Sequence, residues 1–224
     1  MQSVISAVDE ERLLKGTTTI GIVCKDGVVL ATERRATAGT MITNKQTFKL
    51  FKIDQNIGIT IAGLVGDAQV LARYLKAEVS LYRLRRNAPL TAEGAATLLA
   101  NILNGNRFYP YYAWLILGGV DGRGSHVFSV DPAGGCIEDK FVSVGSGSTF
   151  AYGIIEEGYS RDMSTSDAVD LALRGLTAAM KRDSASGDGY LVHIISPKEY
   201  RELTEDEINK RLKALKIPLP PPLP

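Results

Sequence analysis

Cysteine, histidine and tryptophan are scarce in this chain, numbering two, two and one among 224 residues. Cys24 and Cys136 can close at most one bridge, which excludes a small fold stapled by disulfides. Each sits in an apolar run that reads as strand, so both are expected to be reduced thiols filling a core. His126 and His193 are far apart, and neither has a cysteine or acidic partner at metal-ligand spacing. That argues against a structural zinc or haem site. An excess of one charge is also lacking: Lys and Arg total 26 against 25 Asp and Glu, a formal net charge of +1. No long-range field would gather nucleic acid or an anionic membrane. No apolar run approaches the roughly eighteen residues that mark a membrane helix. The opening segment MQSVISAVDEERLLKG carries Asp9, Glu10 and Glu11 and holds no signal-peptide core. The expectation is a soluble protein of the cytoplasm with neither nucleic acid nor membrane as partner.

What the chain does have is length and patterning for one domain of about 200 residues. TTTIGIVC and GVVLATE read as strands around the turn Lys25-Asp26-Gly27, followed by Gln46 to Ile53 and Ile57 to Ala62. After Val65-Gly66-Asp67 the period changes. Val70, Leu71, Tyr74, Leu75, Val79, Tyr82 and Leu84 predict a helix of about five turns that ends in the basic cluster Arg83, Arg85 and Arg86. A second helix follows Pro89 with Thr91 as cap. Strands return at Tyr112 to Gly118, Ser125 to Val130 and around Cys136 to Val144. Phe150 to Ile155 reads as helix, Ser164 with Asp167 caps another, Tyr190 to Ile195 is a strand, and Thr204 with Glu207 opens a last helix to about Leu215. Blocks of strands alternating with pairs of helices predict two stacked antiparallel sheets with helices on both outer faces, an α+β class. The segment 216–224, rich in proline, reads as an extended tail, a passive one or an SH3-type ligand.

Weak motifs carry no nucleotide chemistry. Gly145-Ser146-Gly147-Ser148 lacks the ending of a phosphate-binding loop, and Gly118-Gly119 reads as close packing or a bulge. The informative anomaly is Thr17. It follows Gly16 at the end of a segment with no evident place in the core. Were that bond cut, Thr17 would carry a hydroxyl and a free α-amine, whose reference pKa of about 8 makes it a base near neutrality. Against this stands the common use of threonine for strand packing. A second anomaly is Lys49, set inside the apolar run Phe48 to Ile53.

The runs GTTTIGIVCKDGVVLATERRAT, FKLFKID, TIAGLVGDAQVLARYLKAE, VGSGS and KRDSASG are spread from Gly16 to Gly187. Together they resemble the β subunits of archaeal proteasomes, threonine proteases of the N-terminal-nucleophile hydrolase superfamily. The resemblance implies a four-layer αββα sandwich and three segments: a leader at 1–16 removed by self-cleavage between Gly16 and Thr17, a hydrolase domain at 17–215, and the tail at 216–224. It implies Thr17 as nucleophile, Glu33 and Lys49 as the ion pair beside it, Asp183, Ser146 and Ser186 around the threonine amine, and Gly63 as backbone donor to the oxyanion. Some relatives have aspartate at the Glu33 position.

Arg35 and Thr37 take the positions that buttress the Lys49 region and pair with substrate backbone. Ala36, Thr47, Phe51, Ile61, Val65 and Gln69 take those of a specificity pocket for a medium or large apolar side chain. The implied chemistry uses no metal or organic cofactor. The implied partners are further β subunits in a seven-membered ring, flanking α subunits, an ATPase ring and unfolded polypeptide. The rivals are a structural ring subunit that keeps its leader and a bacterial two-ring peptidase of the same fold.

Overall fold

The computed structural model describes residues 16–220, so most of the leader and the last four tail residues lie outside the described part. Two five-stranded antiparallel sheets form the centre. The first has the order β10-β1-β2-β11-β12, built from β1 (Thr19–Cys24), β2 (Gly27–Glu33), β10 (Phe141–Val144), β11 (Tyr190–Ile195) and β12 (Tyr200–Glu202). The second runs β5-β6-β7-β8-β9, from β5 (Leu50–Asp54), β6 (Ile57–Gly63), β7 (Ala113–Asp121), β8 (Gly124–Val130) and β9 (Cys136–Asp139). A separate ribbon pairs β3 (Ala36–Ala38) with β4 (Met41–Asn44).

Three apolar clusters set the four layers. Val28, Leu30, Leu50, Ile116, Val127 and Ile195 pack between the sheets. Outside the second sheet, Ile57, Ile59 and Leu117 meet Leu71, Leu75, Leu99 and Leu103 of helices α1 (Val65–Arg86) and α2 (Ala92–Gly105). Outside the first, Ile20, Ile22 and Val29 meet α3 (Ser148–Gly158), α4 (Thr165–Met180) and α5 (Glu205–Ala214) through Ile155, Leu173, Leu176 and Leu212. Gly118 has a packing reason: a Cβ there would lie 2.8 Å from Val28 Cγ1 across the sheet interface. The helix caps form as their sequences predict. The Thr91 and Ser164 side chains accept the N–H groups of Gly94 and Asp167, and Thr204 with Glu207 completes a capping box. Among the described residues no helix is long and apolar enough to cross a membrane.

Several expectations need correction. Cys24 is buried, and burial pushes its thiol up to about 12, but Cys136 is exposed on the edge strand β9 and fills no core. The expected strand from Cys136 to Val144 is two strands in different sheets, with the chain crossing over at Lys140. Gln46 to Lys49 precede β5 rather than joining it, and Phe48 is 63% exposed. α1 buries Ala68, Leu71, Ala72, Leu75 and Val79, leaving Tyr74, Tyr82 and Leu84 on its outer side. The small alanines let the helix lie close to the sheet, so the wide aromatic stripe is not its core face. Arg83 at the end of α1 pairs with Asp54, and Asn87 closes the helix in the left-handed region. Lys216 turns the chain out of α5 in the left-handed region at φ 56°, residues 217–220 carry no regular secondary structure, and Pro220 lies beside Arg34 and Asn209.

Candidate active site

Strand ends converge at one edge of the sandwich. β1 starts there at Thr19, β2 ends at Glu33 opposite Tyr190 at the start of β11, β10 ends at Val144, and β6 ends at Gly63. Lys49 lies immediately before β5 and accepts the Ile61 N–H through its carbonyl at 3.0 Å. This register carries Thr17, two residues before β1, into the mouth between the sheets.

Thr17, Glu33 and Lys49 are 3%, 0% and 2% exposed. The Lys49 ammonium is hydrogen-bonded to Glu33 Oε1 and donates to Thr17 Oγ1 at 2.9 Å. Thr17 Oγ1 donates in turn to the carbonyl oxygen of Gly16 at 2.7 Å. Two buried charges are costly unless paired and hydrogen-bonded. Here the carboxylate is supplied generously, because Glu33 also accepts the N–H groups of Thr18 at 3.3 Å, Arg35 at 2.6 Å and Gly187 at 3.0 Å. Burial pushes the Glu33 carboxyl up and the Lys49 ammonium down, and their mutual attraction opposes both shifts.

A second set of groups reaches the backbone nitrogen of Thr17. Its N–H donates to Ser146 Oγ at 3.2 Å, and Ser146 Oγ donates to Asp183 Oδ2 at 2.6 Å. Ser186 Oγ donates to the same Oδ2 at 2.6 Å and contacts Thr18 Oγ1 at 2.7 Å. The loop carrying Asp183 and Ser186 is held by Arg35, whose guanidinium donates to Asp188 at 2.7 Å and to the Ser184 carbonyl at 2.8 Å. The Gly-Ser-Gly-Ser run finds its use here: a Cβ on Gly145 would lie 1.9 Å from the Thr17 carbonyl oxygen, and one on Gly147 would lie 2.1 Å from Thr18 Oγ1. Only glycines let this loop close over the two threonines.

Gly16, Thr17, Ala36, Thr37, Lys49, Ile61, Gly63 and Val65 line a cavity of about 10 Å³, room for about one water. Gly63 stands at φ 111°, where a Cβ would lie 2.2 Å from the Tyr112 carbonyl oxygen, so no other residue fits. The Thr37 hydroxyl is buried and has no partner among the described residues. Thr47, Phe51 and Gln69 do not line this cavity. Phe51 and Gln69 face a separate groove of about 470 Å³ between β5 and α1, and the Thr47 side chain bonds Asn44. The sequence reading passed over Thr18, Gly187 and Asp188. The threonine run and the Gly-Asp pair after Ser186 were the available signals, but neither distinguishes a tie to Glu33 or Arg35 from ordinary strand and loop.

The comparisons agree with this geometry. The family model described as "Proteasome subunit" matches residues 13–195. The chain is 53% identical over 209 residues to the proteasome subunit beta of Methanothermobacter thermautotrophicus, covering 93% of this chain and all of that protein. It is 50% identical to that of Ferroglobus placidus, over 92% of this chain and 99% of the other, and 49% identical to that of Methanosphaerula palustris, over 93% and 99%. This chain belongs to the proteasome subunit family, among its β subunits.

Proposed function

We propose that this chain is the catalytic β subunit of a proteasome core particle, a threonine-type endopeptidase made active by cleavage between Gly16 and Thr17. One observation carries the reading: the buried Thr17 hydroxyl lies between the Lys49 ammonium and the carbonyl of the residue before it. In the uncut chain the Thr17 nitrogen is an amide and cannot serve as base. Lys49 is then the ionisable group within reach of the hydroxyl, and burial favours its giving up a proton. Attack of Oγ1 on the Gly16 carbonyl carbon closes a five-membered ring and moves the acyl group from nitrogen to oxygen, and water then releases the leader ending at Gly16. Intramolecular placement of this kind is worth effective molarities of about 10⁵ M or more. Glycine at position 16 fits the arrangement, since a Cβ there would lie 1.9 Å from the Ala185 Cβ.

Once Thr17 is the first residue, its amine takes the hydroxyl proton, Oγ1 attacks a substrate carbonyl, and an ester forms that the amine helps water to hydrolyse. Ser146 and Asp183 orient the amine, while Lys49 and Glu33 supply a positive field beside the oxygen. The Gly63 N–H is assigned to the oxyanion, a donor worth about 3 kcal/mol. The Thr37 hydroxyl, buried without a partner among the described residues, supports a contact with substrate backbone. Ala36, Ile61 and Val65 favour an apolar side chain before the cut bond, by roughly 0.8 kcal/mol for each buried methylene. The β-subunit identity implies assembly into a core particle; the proposed arrangement is seven-membered β rings between α rings in the cytoplasm, fed with unfolded polypeptide by an ATPase ring.

The test is intact mass with peptide hydrolysis on the chain assembled with its α partner. Loss of Met1 to Gly16 together with turnover is expected. An assembled, active particle that keeps the leader would overturn the reading, and an inactive one that keeps it would indicate a structural ring subunit.

A further inference from the structure

Every polar group of Thr18 is committed. Its N–H donates to Glu33 Oε1 at 3.3 Å, its carbonyl accepts the Thr32 hydroxyl at 3.1 Å, and its own Oγ1 lies 2.7 Å from Ser186 Oγ. The direction of the last bond follows from counting protons. Ser186 has one hydroxyl proton, which goes to Asp183 Oδ2 at 2.6 Å. Thr18 is therefore the donor to Ser186. The ordered path runs from the Thr18 hydroxyl to Ser186, from Ser186 to Asp183, and from Asp183 back through Ser146 to the Thr17 nitrogen. It closes on itself, because Thr17 and Thr18 are joined covalently. Thr18 is fully buried, and the Gly147 backbone covers its hydroxyl so closely that a Cβ would not fit.

We propose that the Thr18 hydroxyl is a positioning residue for the reaction: it fixes the proton order of the Ser186–Asp183–Ser146 chain and so the alignment of the Thr17 amine. The inference rests on Thr17 being the nucleophile proposed above. Hydrogen bonds in such a chain reinforce one another. Without the Thr18 donor, Ser186 donates more weakly to Asp183 Oδ2, and the carboxylate retains more negative charge for the Ser146 side. That charge stabilises the ammonium form of the Thr17 amine, which cannot act as base. The charged groups facing this amine are Lys49 from the approach to β5, Glu33 from β2 and Asp183 from the loop after α4, with Arg35 and Asp188 paired behind them.

The experiment compares Thr18→Val, which keeps the shape, with Thr18→Ser, which keeps the hydroxyl, in assembled particles hydrolysing a fluorogenic peptide. Thr18→Val is expected to lower kcat about tenfold with KM little changed, and to move the acid limb of the pH profile to higher pH. Thr18→Ser is expected to restore both. In a Ser186→Ala background, Thr18→Val should add no further loss. A packing role predicts the reverse order, with valine tolerated and serine impaired; that result, or an equal loss from Thr18→Val in both backgrounds, would overturn the inference. Should the valine variant fail to assemble, Thr18→Ala against Thr18→Ser makes the same comparison. An epoxyketone adduct mapped on the wild-type particle separates the two ideas. An adduct away from Thr17 sinks the nucleophile reading, whereas an adduct on Thr17 with full kcat in Thr18→Val sinks only the role of Thr18.

Discussion

The two sets of groups that meet Thr17 are built differently. The Lys49–Glu33 pair sits on strand ends, is almost wholly excluded from water and is tied by backbone N–H donors. The Asp183–Ser146–Ser186 set sits on loops, where Ser146 is exposed, Asp183 half-buried and only Ser186 buried, and glycines bring the backbone close. The strand-borne pair holds the Thr17 hydroxyl, the proposed nucleophile, in a fixed field, and its rigidity comes from the sheets. The loop-borne set holds the Thr17 nitrogen, which the proposed cleavage would change from amide to amine, and loops accommodate such a change more readily than strands do. Rigid and adaptable supports are thus divided between the two atoms of one residue.

The largest expected effect bears on both sets at once. Thr17→Ala should abolish leader removal and peptide hydrolysis while the particle still assembles; intact mass and a turnover assay check it. Next, Lys49→Ala leaves Glu33 buried without its counter-ion. It should remove measurable activity and cost about 3–5 kcal/mol of stability, read from a denaturant series. If Lys49→Ala were no more damaging to stability than Asp183→Asn, the contrast between a buried pair and an adaptable loop would fail. Gly16→Ala sharpens the other side. Its methyl meets Ala185 on the loop, so leader removal should slow by about 10²-fold without stopping, in a time course followed by mass, and processed enzyme should turn over as wild type.

The smallest effect is in the alkaline limb of activity. The ammonium form of Lys49 donates to Thr17 Oγ1, and burial lowers the pH at which that form is lost. Activity should therefore fall as pH rises through a value below the ordinary lysine pKa of about 10.4. A limb at or above that value would mean that solvent reaches the pair.

The same contrast explains what could be read from the sequence. Lys49 stands out because a lysine in an apolar run demands a partner, and Glu33 is the one charged residue of a strand that is otherwise apolar but for Thr32. The helix caps at Thr91, Ser164 and Thr204 are local chemistry and are legible for that reason. Asp183, Ser146 and Ser186 form only polar loops by composition; the resemblance to a family, not periodicity, brings them to the site. Cys136 misleads because an edge strand and a central strand share one apolar pattern, and the crossover at Lys140 is a tertiary choice between two sheets. Thr47, Phe51 and Gln69, carried over by resemblance, lie off the cavity beside Thr17 in this chain taken alone. Thr18 escaped notice because a buried threonine in a run of three looks like strand packing until its donor direction is counted.

In the proposed mechanism the attacking oxygen and the base belong to one newly exposed residue, Thr17. Peptide mapping after reaction of the assembled particle with an epoxyketone tests it directly, since that reagent bridges a hydroxyl and an amine. An adduct is expected on Thr17 of a chain beginning at Thr17, with activity lost in proportion. Full inactivation with the adduct on any other residue would contradict it.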